Sequence, residues 1–306
     1  KTAADVVTVT LSQDGVTGRG ECVPYPRYDE SVAGSIAQIE AIRDALEEGA
    51  GRRELMELLP AGAARNAVDC ALWDLELRLS GSDIATAMGL DTPLRPIATA
   101  MTVGLDTPDR MGAAAAVLAN VPLIKVKVDR SDPAAQLRAV RAAAPAPRMI
   151  VDPNESWTIA QVRDLQQLMV ELRIDLLEQP LPAEEDSDLN GFLSAIPIAA
   201  DESLHGPEDL DKLADGYAVV NIKLDKAGGL TAALDLADAA RARGLGIMTG
   251  CMICSSLSIA PAWAVAAGSA FVDLDGPLWL SADRAGGVTG TQGVLSPPQP
   301  GFWGGL

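Results

Sequence analysis

The chain has 306 residues, of which 48% are hydrophobic, so it is long enough for one large α/β barrel or for two domains. Its 24 basic and 42 acidic residues give a formal net charge of −18, which argues against nucleic acid and anionic membranes as partners. No apolar run reaches the ~18 residues of a membrane span, and no basic segment leads into an apolar one as in a secretion signal, so we expect a cytoplasmic protein.

The first 95 residues predict a small α+β domain. The run DVVTVTL alternates between two faces, and QDG makes a turn before VTGRGECV, which predicts an antiparallel hairpin. SIAQIEAIRDALEEG predicts a helix closed by Gly49, and AARNAVDCALWDLELRLSG predicts a second helix that ends at Gly81. The apolar faces of these helices consist of Ile36, Ile39, Ile42 and Leu46 in the first and of Val68, Leu72, Leu75 and Leu79 in the second.

Beyond residue 95, short β-like runs recur at a nearly constant spacing. In chain order they are IATAMTV, IKVKV, MIVD, DLLE, IAAD, VVNIK, IMTG and FVDLD. From Lys127 their ends follow each other after 25, 26, 23, 22, 27 and 25 residues, which is the length of a strand, a helix and two short loops. We therefore predict a parallel α/β barrel over residues 96–280, whose C-terminal strand ends share one mouth. The Gly- and Pro-rich tail, about 281–306, is expected to return to the first domain and complete it.

Three acidic residues end three successive predicted strands, namely Asp152, Glu178 and Asp201. They would occupy neighbouring positions at the barrel mouth. Three hard oxygen ligands without His or Cys favour Mg²⁺, with water and substrate oxygens completing the coordination. The alternative is that these side chains cap helices or pair with lysines. Their occurrence at three consecutive strand ends favours the metal site.

Lysines flank this acidic series on both sides. Lys127 and Lys223 end strands before and after it, and Lys125 lies two residues before Lys127, so both side chains face into the barrel. Two lysines on opposite faces of a bound carbon could remove a proton from one side and return one on the other. Burial, Mg²⁺ and the charge of Lys125 are expected to lower the lysine pKa from its reference value of ~10.4. The alternative is simple salt bridging to the carboxylates.

The cysteines and the single histidine limit other chemistry. Cys251 and Cys254 form a CxxC, but it follows the seventh predicted strand and no second CxxC completes a zinc site, so packing thiols are favoured over a redox or zinc site. His205 is the only histidine, so a Ser–His–Asp triad would depend on it alone. It lies in a predicted loop, either at the mouth or in solvent.

Several motifs occur together in a fixed order: KVK, VDPNESW, LEQPLP, AADES, NIKLDKAGG and DLDGP. They resemble the muconate-lactonizing subgroup of the enolase superfamily over essentially the whole chain. GECVPYPRYDES and LPAGAARNAVDCALWDLELR resemble the dipeptide epimerases that act on L-Ala-D/L-Glu. The resemblance implies a modified TIM barrel of (β/α)7β type with an N-terminal α+β capping domain. It also implies that Asp152, Glu178 and Asp201 bind Mg²⁺ and that Lys127 and Lys223 are the acid and base, supported by Lys125.

The resemblance also assigns substrate-binding residues. It implies that Asp273 and Asp275 bind the free ammonium of a dipeptide, which suits two carboxylates on one inner strand face. The alternative is an ion pair with Lys226 or an exposed turn. Arg27 lies in a loop that resembles a specificity loop and could meet the distal carboxylate of a Glu residue, unless it is a solvated surface arginine. The family further implies a strand and a specificity loop upstream of Lys1.

The predicted activity is a 1,1-proton transfer that inverts the α-carbon of the C-terminal residue of a dipeptide such as L-Ala-L-Glu. One lysine removes the α-proton to give an enediolate, and the opposite lysine protonates the other face. Alternatives within the subgroup are N-acylamino acid racemase, o-succinylbenzoate synthase and muconate cycloisomerase. An alternative of another class is a non-catalytic barrel that binds a small acidic peptide or amino acid. The expected partner is a small dipeptide, and the sequence leaves open whether the protein forms a homo-oligomer.

Overall fold

A computed structural model describes residues 3–305 of the chain. The N-terminal part of the molecule is an α+β unit. The predicted hairpin is present: two strands pair antiparallel from Val7 opposite Cys22 to Gln13 opposite Val16. The hairpin packs on the longest helix, which buries most of its residues between the hairpin and the rest of the molecule. The elements are β1 (Val7–Gln13), β2 (Val16–Cys22), α1 (Val32–Ala41), α2 (Arg43–Glu47), α3 (Arg52–Leu58), α4 (Ala63–Ser80) and α5 (Ile84–Met88). The predicted upstream strand and loop would precede Lys1 and so lie outside the described residues.

The first predicted helix is wrong in two respects. It begins earlier, because the Ser31 side chain accepts a hydrogen bond from the Gly34 amide and so caps α1. It is also interrupted at Ile42, whose φ of −107° and ψ of 9° separate α1 from α2. Of the apolar face predicted there, Ile42 is buried but Ile36 remains 46% exposed. The second predicted helix, α4, ends at Gly81 as expected, in the left-handed conformation that favours glycine.

Most of the rest of the chain forms an eight-stranded parallel sheet in which strands follow each other in chain order, as predicted. The strands Ile97–Ala98, Thr289–Thr291 and Val294–Ser296 form a separate antiparallel sheet. The eight-stranded sheet curls into a barrel, and its first and last strands meet where the Leu274 amide donates to Thr99 Oγ1 at 2.8 Å. The elements in order are β3 (Ile97–Ala98), β4 (Ala100–Val103), α6 (Pro108–Val117), β5 (Leu123–Lys127), α7 (Pro133–Ala143), β6 (Arg148–Asp152), α8 (Ile159–Asp164), α9 (Gln166–Glu171), β7 (Leu176–Glu178), β8 (Ile198–Ala200), β9 (Val219–Ile222), α10 (Leu224–Ala227), α11 (Leu230–Ala242), β10 (Gly246–Gly250), α12 (Ser256–Ala266), β11 (Phe271–Asp273), β12 (Thr289–Thr291) and β13 (Val294–Ser296).

Two of the expected βα units contain no α-helix. The connections after β7 and β8 carry only the 3-10 helices Ala183–Leu189 and Pro207–Asp211. These are the two shortest steps of the repeat, 23 and 22 residues. In connections this short, the loops leave too few residues for a full α-helix.

The barrel interior is built in layers, because alternate residues of each strand point inward. The lowest layer is an apolar cluster that takes one residue from every strand: Ala100, Leu123, Ile150, Leu176, Ala199, Val219, Met248 and Phe271. Two residues further along each strand, the inward position is polar or glycine: Thr102, Lys125, Asp152, Glu178, Asp201, Asn221, Gly250 and Asp273. The apolar layer closes the bottom of the barrel, so the polar layer faces the mouth at the C-terminal strand ends.

The N-terminal unit is joined to the barrel by buried polar contacts. Asp225, just after β9, accepts from the Val23 amide at 3.0 Å and from Asn66 Nδ2 at 2.8 Å. The tail also returns to this unit, since the Gly304 amide donates to Asp74 Oδ1 at 2.7 Å. The domain limits at residues 95 and 280 remain predictions. No helix among residues 3–305 is both long and apolar enough to cross a membrane.

Candidate active site

The three predicted metal ligands lie side by side at the barrel mouth. Asp152 and Glu178 are the last residues of β6 and β7, and Asp201 directly follows β8. Each is at most 1% exposed. Three buried carboxylates on adjacent strands require cations or protons nearby, since an unpaired buried charge is very costly.

Lys125 supplies one of these charges from within the same layer. Its ammonium lies 2.9 Å from Asp152 Oδ2 and 2.8 Å from Glu178 Oε2, and it donates to Asp273 Oδ2 at 2.9 Å. The side chain is almost fully buried. Lys125 therefore bridges the acidic series to the last strand of the barrel, while its supporting role in the reaction stays a prediction.

Lys127 and Lys223 lie one layer higher, on opposite sides of the mouth. Lys127 ends β5 and Lys223 directly follows β9, and three strands separate β5 from β9 within the eight-stranded sheet. The Lys127 ammonium donates to Asp152 Oδ2 at 2.5 Å, and the Lys223 ammonium donates to Asp201 Oδ2 at 2.6 Å. The two amines thus approach the space above the carboxylates from opposite directions.

The charges of the mouth are strongly coupled. Burial acts to raise the pKa of Asp152 and Asp201, but the lysine ammonium groups outweigh it and hold both pKa values below the usual range. Burial and the neighbouring charge of Asp152 raise the pKa of Glu178 to about 8. The lowered pKa expected for Lys223 is wrong for this arrangement: burial lowers it, but the facing Asp201 carboxylate more than compensates, so the pKa lies above its ordinary value.

Of the pair assigned to the substrate ammonium, Asp273 ends β11 and Asp275 follows it by two residues, next to the first barrel strand. Asp273 and Asp275 are each 7% exposed, so the alternative of an exposed turn is wrong. Asp275 Oδ2 accepts from the Thr102 hydroxyl at 2.9 Å, while Asp273 Oδ1 is buried and has no hydrogen-bond partner among residues 3–305. Burial and the charge of Asp273 raise the pKa of Asp275 to about 6.

Lys226, considered above as a partner of this pair, contacts Asp201 instead. Its buried ammonium donates to Asp201 Oδ1 at 2.6 Å and to the Asn221 carbonyl at 3.2 Å. From the sequence we considered Lys226 only as a partner of Asp273 and Asp275, not of the three carboxylates. Its spacing of three residues from Lys223 puts both on the same turn, which was the available signal.

Asn221 and Gly250 also line the barrel mouth, and neither was predicted from the sequence as a site residue. Asn221 Nδ2 donates to Glu178 Oε1 at 2.8 Å, so the sixth barrel strand fixes a carboxylate of the fourth. Gly250 takes the inward position of the seventh strand without a side chain. Both could have been found by writing out the inward position of every strand rather than only its charged ends.

Arg27 reaches the mouth from the loop of the N-terminal unit. Its side chain is 45% exposed and forms a two-point ion pair with Glu155, with Arg27 Nη2 to Glu155 Oε1 at 2.8 Å and Nε to Oε2 at 3.1 Å. The next residue, Tyr28, packs edge-on against His205 with ring centroids 5.0 Å apart. The histidine is therefore at the mouth, and burial lowers its pKa.

The two cysteines after β10 lie against Gly276, which follows Asp275. A Cβ atom on Gly276 would be 3.1 Å from each sulfur, so the thiols fill the space beneath this turn. Both are free, and Cys254 is buried with a pKa well above its ordinary value, first because the Cys251 thiol is hydrogen-bonded to it and then because of burial. These features favour the predicted packing role.

Comparison with known proteins accounts for both parts of the chain. Residues 1–89 match the N-terminal domain of the mandelate racemase / muconate lactonizing enzyme family, and residues 110–301 match the enolase C-terminal domain-like family. The chain belongs to the enolase superfamily. This membership confirms the resemblance inferred from the motifs, and the observed barrel confirms the predicted fold class.

Three similar proteins illustrate the range within this superfamily. The L-Ala-D/L-Glu epimerase of Escherichia coli (strain K12) is 46% identical, covering 96% of this chain and 92% of its own. An N-acetyl-D-glutamate racemase of Pseudoalteromonas sp is 43% identical, covering 98% and 95%. A crystal structure of an enolase family member from Agrobacterium tumefaciens with homology to dipeptide epimerases, with bound sodium and L-Ala-L-Glu, is 49% identical, with a TM-score of 0.95 and coverage of 98% and 92%.

The carboxylates of this superfamily member are held by lysines rather than gathered around one point. No group of three or more His, Cys, Asp or Glu side chains within residues 3–305 converges as a ready set of metal ligands. Glu178 Oε2 is nevertheless buried and, within residues 3–305, forms no hydrogen bond of good geometry; its contact is the ion pair with the Lys125 ammonium 2.8 Å away. A buried carboxylate oxygen with free lone pairs, next to two further carboxylates, fits a hard cation.

Proposed function

We propose that this enzyme inverts the α-carbon of the C-terminal residue of a dipeptide such as L-Ala-L-Glu or L-Ala-D-Glu. The observation that carries the proposal is the position of Lys127 and Lys223 on opposite strands of the barrel, above the three carboxylates. A carbon bound between them would present one face to each amine. Inversion requires this geometry, since the proton is taken from one face and returned to the other.

The proton transfers are assigned to the two lysines. In its neutral form one amine accepts the α-proton, while the opposite lysine, as the ammonium, donates a proton to the other face. Asp152 and Asp201 orient the two Nζ atoms through the hydrogen bonds described above. Because the roles exchange with substrate configuration, the enzyme can work from either epimer.

The cofactor that fits the site is Mg²⁺, which Asp152, Glu178 and Asp201 would hold. All three supply hard oxygen donors and lie on adjacent strands. The ion would stabilise negative charge that develops on the substrate carboxylate when the α-proton leaves. Binding of Mg²⁺ would require carboxylate oxygens that now accept hydrogen bonds from the lysines. The hydrogen bond from Lys223 to Asp201 would then weaken.

A dipeptide substrate is supported by the buried carboxylates of Asp273 and Asp275, which lie across the barrel from Glu178. Asp273 Oδ1 has no hydrogen-bond donor in the part of the chain that the structure describes, and a substrate ammonium would supply one. The superfamily member with bound L-Ala-L-Glu supports the same class of substrate.

A second candidate is an N-acylglutamate racemase. The observation in its favour is the 43% identity with the N-acetyl-D-glutamate racemase over 98% of this chain. Both reactions invert the α-carbon of a terminal amino acid, so the lysines and the carboxylates would serve either. Only the group on the substrate nitrogen differs.

The test is a single incubation in D₂O with Mg²⁺. L-Ala-L-Glu should acquire deuterium at the α-carbon of its Glu residue while L-Ala-D-Glu accumulates. NMR measures the deuterium, and chiral chromatography measures the epimer. N-acetyl-L-Glu in a parallel sample decides between the two candidates. If none of these compounds undergoes exchange or inversion, the result would favour a binding protein over an epimerase.

A further inference from the structure

Glu155 occupies a junction of three loops at the mouth of the barrel. It follows β6, and its backbone is held in the left-handed region at φ 64° while its amide donates to the Gln179 carbonyl at 2.9 Å. Its carboxylate accepts from the Ala183 amide at 3.1 Å as well as from Arg27. A non-glycine residue in this conformation costs free energy, so the surrounding contacts over-determine its position.

The Arg27–Glu155 pair lies beside the proposed reaction centre. Asn154, the residue before Glu155, accepts a hydrogen bond from the Lys127 ammonium at 2.6 Å. On the other side, Tyr28 follows Arg27 and packs on His205. The Arg27–Glu155 ion pair therefore joins two chain segments, one of which contacts Lys127 and the other His205.

The pairing leaves part of the guanidinium free. Arg27 has five N–H donors, and Glu155 takes one at Nε and one at Nη2. Within residues 3–305 the Arg27 side chain makes no other hydrogen bond. The edge formed by Nη1 and the second Nη2 proton can therefore donate two hydrogen bonds to a second carboxylate, in the bidentate geometry that arginine favours.

We propose that Glu155 is a positioning residue: it fixes Arg27 so that the free edge of the guanidinium binds the distal carboxylate of an acidic C-terminal residue in the substrate. Without Glu155, a half-exposed arginine would lose side-chain entropy whenever it met the substrate. Glu155 removes that cost in advance. The inference rests on the proposed function and adds a side-chain preference set by a residue that touches no substrate.

The experiment compares L-Ala-L-Glu with its uncharged isostere L-Ala-L-Gln. The ratio of their kcat/KM values measures selectivity for an acidic side chain. Glu155→Gln keeps the oxygen that accepts from Ala183 but loses the two-point ion pair, and we expect the ratio to fall about tenfold while kcat/KM for L-Ala-L-Gln stays within about twofold. Arg27→Met should abolish the preference.

Asp175→Asn is the matched control. Asp175 likewise accepts from an arginine, Arg148 Nε at 3.2 Å, and from a backbone amide, that of Met149 at 2.8 Å, but at the opposite end of β6. This variant should leave the ratio unchanged. Thermal midpoints of all three variants show whether each is folded.

A ratio that is unchanged or higher in Glu155→Gln overturns the proposal, and a higher ratio would mean that Glu155 competes with the substrate for Arg27. An unchanged ratio in Arg27→Met overturns it as well. Calorimetric affinities for the two dipeptides give the same comparison without turnover. If the wild-type enzyme turns over neither dipeptide, the proposed function fails, while the binding ratio still tests Glu155.

Discussion

The backbone of Gly250 packs directly against the side-chain amide of Asn221. A Cβ atom on Gly250 would lie 2.7 Å from Asn221 Oδ1 and 3.1 Å from Cε of Lys223. Both distances are shorter than normal contacts, and Asn221 is fully buried and bonded to Glu178, so it has little room to move. Because Gly250 has no side chain, the seventh barrel strand leaves the space that Lys223 occupies.

Gly250→Ala should accordingly impair the Lys223 side of the reaction. The added methyl group must displace Lys223 or Asn221, and a misplacement of about 1 Å can cost on the order of 100-fold in rate. We expect α-proton exchange through Lys223 to fall at least about tenfold, with less effect on exchange through Lys127. Gly112→Ala is the control, because a methyl group there would lie an ordinary 3.4 Å from the Ala139 carbonyl. Equal losses for both lysines would contradict this reading.

Asp152→Asn, Glu178→Gln and Asp201→Asn should each abolish turnover and weaken Mg²⁺ binding while leaving a folded protein. Each change removes a charged oxygen donor with little change in shape. Calorimetric titration with Mg²⁺ and circular dichroism measure the two effects separately. Full activity of the wild-type enzyme after EDTA treatment would refute the metal assignment.

Lys127→Ala and Lys223→Ala should each stop epimerization but keep part of the chemistry. Each variant retains one amine, so it should exchange the α-proton with D₂O for one substrate stereoisomer and not for the other. NMR of L-Ala-L-Glu and L-Ala-D-Glu, incubated separately, measures the loss of the α-proton of each isomer. Both variants exchanging both isomers equally would rule out the assignment of one lysine to each face.

The proposed preference for an unblocked dipeptide depends on Asp273 and Asp275. A free ammonium gains charge-assisted hydrogen bonds there, each on the order of 1.5–3 kcal/mol, and acylation removes them and adds bulk. L-Ala-L-Glu should therefore exceed N-succinyl-L-Glu and N-acetyl-L-Glu by about 100-fold or more in kcat/KM. Asp275→Asn should lower this preference mainly through KM, because the ammonium is remote from the reacting carbon. Equal turnover of the acylated compounds would make the enzyme an acylamino acid racemase.

The interdomain contact of Asp225 predicts a pH dependence of stability. Burial raises its pKa in the folded protein to about 7, against 3.8 without burial. The folded state therefore binds the proton more tightly, so this contribution to stability is present below about pH 3.8 and is lost as pH rises to about 7. Its full size is at most about 4 kcal/mol.

Asp225→Asn should remove that dependence, since asparagine does not titrate and its oxygen can still accept from Val23 and Asn66. The wild-type free energy of unfolding should decline relative to the variant between pH 4 and pH 8, as measured by urea denaturation. Asp238→Asn, on an exposed residue paired with Arg241, is the control. A wild-type advantage that grows with pH would show that Asp225 is stabilised in its charged form.

The barrel, and the polar residues that stand at its strand ends, could be predicted from the sequence alone. A period of 22 to 27 residues and inward alternation along each strand are local properties, and they brought Asp152, Glu178, Asp201, Lys127 and Lys223 to one mouth. Family membership also followed from motifs that can be read in order along the chain.

Contacts between distant segments were decided only by the tertiary structure. The partner of Lys226, the ion pair of Arg27 with Glu155 and the space left by Gly250 each depend on the distance between side chains from separate strands or loops. The direction of the Lys223 pKa is of the same kind, because it depends on whether burial or the facing Asp201 carboxylate dominates. Spacing along the chain predicts which residues share a face, but the balance between desolvation and Coulomb attraction depends on ångström-scale distances that only the folded chain sets.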